Sequence, residues 1–148
     1  MNTVDEILDY AIDQEQQAAD FYADMAKRSE KSGMKEIFQE FSREEERHRD
    51  KLLDVKRGEQ ELTAHQQVLD LKITDYLVEV ETTENISYQD ALIIAMKRER
   101  AAFRLYSDLA EKVSEGDLRE VFLGLAKEEA KHKLFFESEY DDRILQEN

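Results

Sequence analysis

Two of the three histidines each follow a glutamate by three residues, in Glu45-Glu46-Arg47-His48 and in Glu129-Ala130-Lys131-His132. On a helix, positions i and i+3 share a face, so each carboxylate and its imidazole can reach one point. A further glutamate lies 30 residues earlier in each case, Glu15 before Glu45 and Glu99 before Glu129. The midpoints of these intervals, residues 30 and 114, fall at stretches that read as turns, 29–33 and 114–117. An antiparallel hairpin about each turn would set the early glutamate level with its partner pair. Glu15 and Glu99 also interrupt faces that are otherwise apolar, Leu8, Ile12, Ala18, Ala19 and Tyr22 around the first, Leu92, Ala95, Met96, Ala102 and Tyr106 around the second. The expectation is that Glu15, Glu45, His48, Glu99, Glu129 and His132 enter one layer in the middle of a helical bundle. Four buried carboxylates without cations would each be unfavourable by several kcal/mol or would have to take up protons. Two divalent cations balance the four charges with both imidazoles neutral. Oxygen and imidazole donors suit iron, manganese or zinc rather than copper(I). Carboxylates that can change binding mode favour a redox-active pair.

The elements that must position these residues follow from helical spacing. Thr3 with Glu6 reads as a capping box opening the first helix. A second helix is expected from Met34 to Arg57, stopped by Gly58, with Lys56 and Arg57 favourable at its negative end. Ser87 with Asp90 opens a third helix reaching about Val113, and a fourth runs to about Leu145. Residues 58–86 carry a weaker pattern, with a short helix expected around Ile73 to Val80 and a polar run at 81–85. Shifting the chain by 84 residues superposes Leu8 on Leu92, Glu15 on Glu99, Tyr22 on Tyr106, Phe38 on Phe122, Glu45 on Glu129 and His48 on His132. The sequence is therefore two similar hairpins, 3–57 and 87–146, joined by a crossover at 58–86. The expected architecture is an all-α four-helix bundle forming a single domain over 1–148.

Composition narrows the function classes. The 148 residues include no Cys, no Pro, four Gly, and 36 acidic against 21 basic residues, for a formal charge of −15. The absence of cysteine excludes disulfides, thiolate zinc sites, iron–sulfur clusters and cysteine nucleophiles. The acidic balance offers no basic stripe for a phosphate backbone. No apolar run is long enough to span a membrane, and the N-terminal residues lack a signal-peptide pattern, so a cytoplasmic protein is expected.

With the paired Glu-x-x-His segments, the two early glutamates and the connector segment 70–77 in view, the chain resembles the ferritin-like superfamily and, within it, the rubrerythrin-like di-iron proteins. A bundle of this type with this ligand set is a recognised pattern. The resemblance implies a ferritin-like fold, with Glu15 and Glu99 each capping one of two iron ions, Glu45 and Glu129 bridging them, and His48 and His132 completing the ligand set. Zinc and manganese are the substitutes. It also implies an oxidoreductase that reduces peroxide or dioxygen. Full-length rubrerythrins carry a rubredoxin domain with a four-cysteine iron site, and this chain has no cysteine, so electrons are expected from a separate rubredoxin-like donor. Ala102 stands where rubrerythrins have an additional glutamate, which leaves a six-ligand site. The alternative is a non-catalytic bundle for iron binding, storage or sensing, and a third is a structural bundle.

Tyr22 and Tyr106, seven residues after Glu15 and Glu99, are the catalytic candidates, as phenols that donate to a ligand carboxylate. Glu44 and Glu128 are candidates for orienting the histidines. His65 is expected on the surface of the connector, and Met25, Met34 and Met96 as core filler. No nucleic acid or membrane partner is expected. A homodimer is, with exchange of a hairpin between chains open to the long connector.

Overall fold

The computed structural model describes residues 2–30, 32–58, 68–78, 86–113 and 116–147. His65, the polar run 81–85 and parts of both turns, residues 31 and 114–115, lie outside them. Two compact units divide the chain, one reaching to Ile73 and the other starting at Thr74.

In the first unit, helix α1 (Val4–Arg28) buries Ile7, Leu8, Ala11, Ala18, Ala19, Tyr22, Met25 and Ala26, the positions that recur at three- and four-residue spacing. Its start is the predicted capping box. The Glu6 amide donates to Thr3 Oγ1 at 3.1 Å, and the Glu6 carboxylate accepts from the Thr3 amide at 2.9 Å. That backbone bond, helped by the Thr3 hydroxyl, holds the Glu6 carboxyl below its ordinary range. Helix α2 (Ser32–Arg57) begins two residues before the predicted Met34 and ends where predicted. Gly58 stops it through close approach, since a Cβ there would lie 3.3 Å from the Val55 carbonyl oxygen. Lys56 pairs with Asp9, Arg49 Nη1 donates to Gln16 at 2.5 Å, and the buried Ser42 hydroxyl donates to the Ala19 carbonyl at 2.8 Å. Numbers fall along α2 as they rise along α1, so the hairpin is antiparallel as expected.

Strand β1 (Asn2–Thr3) pairs antiparallel with β2 (Val68–Leu69), Asn2 opposite Leu69 and Thr3 opposite Val68. The Asn2 side chain also accepts from the Ile73 amide at 3.3 Å. The N-terminus thereby fastens residues 68–73, in the middle of the connector, to the first hairpin. Two-residue strands show no alternation, which is why the sequence pattern missed them.

Of the short helix predicted around 73–80, Ile73–Tyr76 form a single 3₁₀ turn, Leu77 and Val78 are not helical, and residues 79–80 lie outside the described residues. One isolated turn fixes several residues for very few hydrogen bonds, so tertiary contacts must hold it. Those contacts belong to the second unit. There the buried Tyr76 donates its phenol to Asp108 at 2.5 Å, and the Arg104 guanidinium lies 5.7 Å from its ring centre.

Helix α3 (Tyr88–Lys112) opens at Ser87, whose hydroxyl accepts from the Asp90 amide at 3.0 Å. Gly116, at a φ of 134°, adopts a conformation that only glycine takes readily, just before α4 (Asp117–Glu147), which runs two residues past the predicted end. Tyr88 near the start of α3 donates to Glu139 near the end of α4 at 2.9 Å, and Tyr106 near the end of α3 stacks on Phe122 near the start of α4. This hairpin is antiparallel too. Apart from the one short strand pair, the regular structure of the described residues is helical, and the fold class is all-α as predicted. None of these helices is long and apolar enough to cross a membrane.

Candidate metal centre

Glu15 stands in the middle of α1, and Glu45 and His48 stand one turn apart on α2. All three are buried, at 2%, 1% and 4% exposure, on the faces that the two helices turn toward each other. The three residues of the Glu44-Glu45-Glu46 run differ as the helical period requires, with Glu45 buried, Glu44 half-buried and Glu46 exposed. His48 Nδ1 lies 3.6 Å from Glu15 Oε2 and 3.8 Å from Glu45 Oε2. One donor atom from each of the three falls within 4.8 Å of the others.

The second unit repeats the arrangement. Glu99 from α3 and Glu129 and His132 from α4 are buried at 1%, 1% and 4% exposure. His132 Nδ1 lies 3.6 Å from Glu99 Oε1, and the three again offer donor atoms within 4.8 Å of one another. Each hairpin brings together the three residues that its sequence spacing singles out.

The donor set fits a metal ion. Separations of 3.6–3.8 Å exceed an N–H···O hydrogen bond, which is about 2.7–3.2 Å. They lie a little above the roughly 3.4 Å between donors on a tetrahedral ion with bonds of about 2.1 Å. Each trio carries two carboxylates whose charges one divalent cation cancels. With no thiolate, the donors suit iron, manganese or zinc.

Tyr22 and Tyr106 are buried at 0% and 1% exposure. Tyr22 stacks on Phe38 with centroids 6.2 Å apart, and Tyr106 stacks on Phe122 at 6.4 Å. The repeat thus extends from the ligand-type residues to the aromatic pairs that close each hairpin beside them. Of the residues proposed to orient the histidines, Glu44 lies 3.9 Å from Arg47 and Glu128 is exposed. Ser42, three residues before Glu45, is a buried polar residue that the sequence reading passed over. Its only sequence signal was a hydroxyl on an inward-facing position, matched by Ala126 in the second half.

No curated protein and no solved structure matches the chain. The family model described as Rubrerythrin matches residues 6–140, a span that contains all six acidic and histidine residues and both tyrosines. The chain belongs to the rubrerythrin family.

Proposed function

We propose that the protein is an oxidoreductase that reduces peroxide or dioxygen at a carboxylate-bridged pair of iron ions, with electrons from a separate donor. The observation that carries this reading is the duplication of one buried trio, two carboxylates and an imidazole, in a chain of the rubrerythrin family. In this reading each trio would hold one of the two ions. Glu15, Glu45 and His48 are the residues that would hold one, and Glu99, Glu129 and His132 the other. Bound there, iron supplies the position for the oxidant and the electrons that break its O–O bond.

The chain's own residues do the rest. As anions, the four carboxylates would balance the charge of two divalent ions. The phenols of Tyr22 and Tyr106, buried two turns along the helix from Glu15 and Glu99, donate hydrogen bonds toward ligand carboxylates. Their stacked partners Phe38 and Phe122 keep the surroundings dry and so strengthen every charge interaction inside. The site we envisage works in a reducing cytoplasm, in a homodimer, and takes zinc or manganese as substitutes.

Elemental analysis of anaerobically purified protein should find two irons per chain. Stopped-flow mixing of the ferrous protein with peroxide should then show its oxidation. Iron without oxidation by peroxide would favour storage or sensing. In that case solution mass discriminates, because a storage cage must be a closed shell and not a dimer. Absence of any native metal would leave a structural bundle.

A further inference from the structure

The 84-residue repeat lets each half serve as a control for the other, and the two halves differ one turn from the ligand-type residues. Ser42 lies three residues before Glu45 on α2, and Ala19 lies four after Glu15 on α1, both on the side of the hairpin turn. The buried Ser42 hydroxyl donates to the Ala19 carbonyl at 2.8 Å, a bond that spans the two helices. In the second half the matching residues are Ala126 and Phe103, and alanine has no hydroxyl to donate. Alanine is also the better helix former and leaves no polar atom to satisfy when buried, so the fold alone favours it at this position. Ala126, itself buried, shows that such a hairpin closes without the bond.

A hydrogen bond has narrow limits of length and angle, so this one fixes the approach and register of α1 and α2 at its own level. Glu15 and Glu45 leave the same two helices one turn further on, and the bond therefore also limits the gap between their carboxylates. Aromatic packing acts on the same stretch. Phe21, Phe38 and Phe41 have ring centres 5.6, 6.2 and 6.1 Å from that of Tyr22. The repeat matches them with Leu105, Phe122 and Leu125. Aromatic pairs hold one another beyond what burial alone gives, so the first hairpin is the stiffer here. Charge favours the same trio. The stretches 9–20 and 40–51, level with Glu15 and Glu45, hold nine acids and four bases, whereas the matching 93–104 and 124–135 hold three acids and seven bases. Acidic surroundings attract a cation and basic ones repel it.

We propose that Ser42 is a positioning residue for metal binding. Through Ala19 it keeps Glu15 and Glu45 at a ready-made spacing, so that the first trio takes its ion first and holds it more tightly than Glu99, Glu129 and His132 hold theirs. This rests on the two-ion reading above. A site already in its binding geometry loses less freedom on taking an ion, and its affinity rises accordingly.

The test titrates the metal-free protein with cobalt(II). Calorimetry reads the affinities, and visible absorption reads the ligand surroundings of each ion. The parent should bind two ions in two steps at least tenfold apart in affinity. His48→Ala should abolish the tight step and His132→Ala the weak one. Ser42→Ala should weaken the tight step about tenfold, change the absorption of the first ion and leave the weak step as it is. Ser42→Thr, which keeps the hydroxyl, should restore both. A serine that serves the fold alone would lower the melting temperature of the metal-free Ser42→Ala protein but leave the tight step and its absorption untouched, and that result would overturn the proposal. So would loss of the tight step in His132→Ala. Two ions bound with equal affinity in the parent would strike this proposal and leave the two-ion reading standing, whereas a protein that takes up no cobalt would strike both.

Discussion

At the scale of single residues, the decisive fact is that like charges are held together. Glu15 and Glu45 place carboxylate oxygens within 4.8 Å of each other in a buried position, and Glu99 and Glu129 do the same. Two negative charges at that separation repel each other unless a cation lies between them. Glu45→Gln keeps the shape and removes one charge. It should raise the melting temperature of the metal-free protein, by about 2–4 °C for each kcal/mol of repulsion relieved, and should reduce the further rise on adding metal. Calorimetric melts with and without metal check both. A metal-free variant that melts lower than the parent would mean that protein groups, not a metal, hold this carboxylate. These residues were legible in the sequence because three constraints coincide on them, namely the Glu-x-x-His spacing, the 30-residue interval about a turn, and the 84-residue repeat. Ser42 was not legible, because a lone hydroxyl has no spacing to give it away.

At the scale of elements, the four long helices and their antiparallel pairing could be read from periodicity, caps and turns. The connector could not, because its placement depends on contacts distant in sequence. Asn2 with Val68 and Leu69, Tyr76 with Asp108, and Tyr88 with Glu139 are pairings that no local pattern encodes. The two tyrosines share one chemistry. Burial, and then the hydrogen bond to a neighbouring carboxylate, pushes each phenol well above its ordinary value of 10.0. The folded protein therefore holds these protons more tightly than the unfolded chain. The resulting stability is complete below pH 10 and is lost as pH rises beyond it. Tyr88→Phe should be less stable than the parent by about 1 kcal/mol at pH 8, and the difference should narrow above pH 10. Urea unfolding at pH 8, 10 and 11 measures it. A difference that stays constant across that range would show that the phenol's proton does not matter to the fold.

At the scale of the whole molecule, the acidic excess divides in two. Among the described residues most carboxylates are exposed, where they favour solubility, while Glu15, Glu45, Glu99 and Glu129 are buried. If the four hold two divalent ions, the charge moves from −15 to −11. Zinc loading should then lower the electrophoretic mobility by about a quarter at unchanged fold. Unchanged mobility after loading would refute the two-ion stoichiometry.

The 84-residue repeat has a consequence in evolutionary terms. A protein assembled from two copies of one hairpin must accept every substitution on both copies at once. A helix face improved for one contact is then duplicated wherever the other copy lies. Joined through residues 58–86, the halves are inherited together but mutate separately. The chain records both outcomes. The buried trio is the same on each side, Glu15, Glu45 and His48 against Glu99, Glu129 and His132. On the outside Gln39 and Asp50 stand opposite Leu123 and Leu134 in the repeat. Covalent linkage is what allows two hairpins with the same buried residues to carry different surfaces.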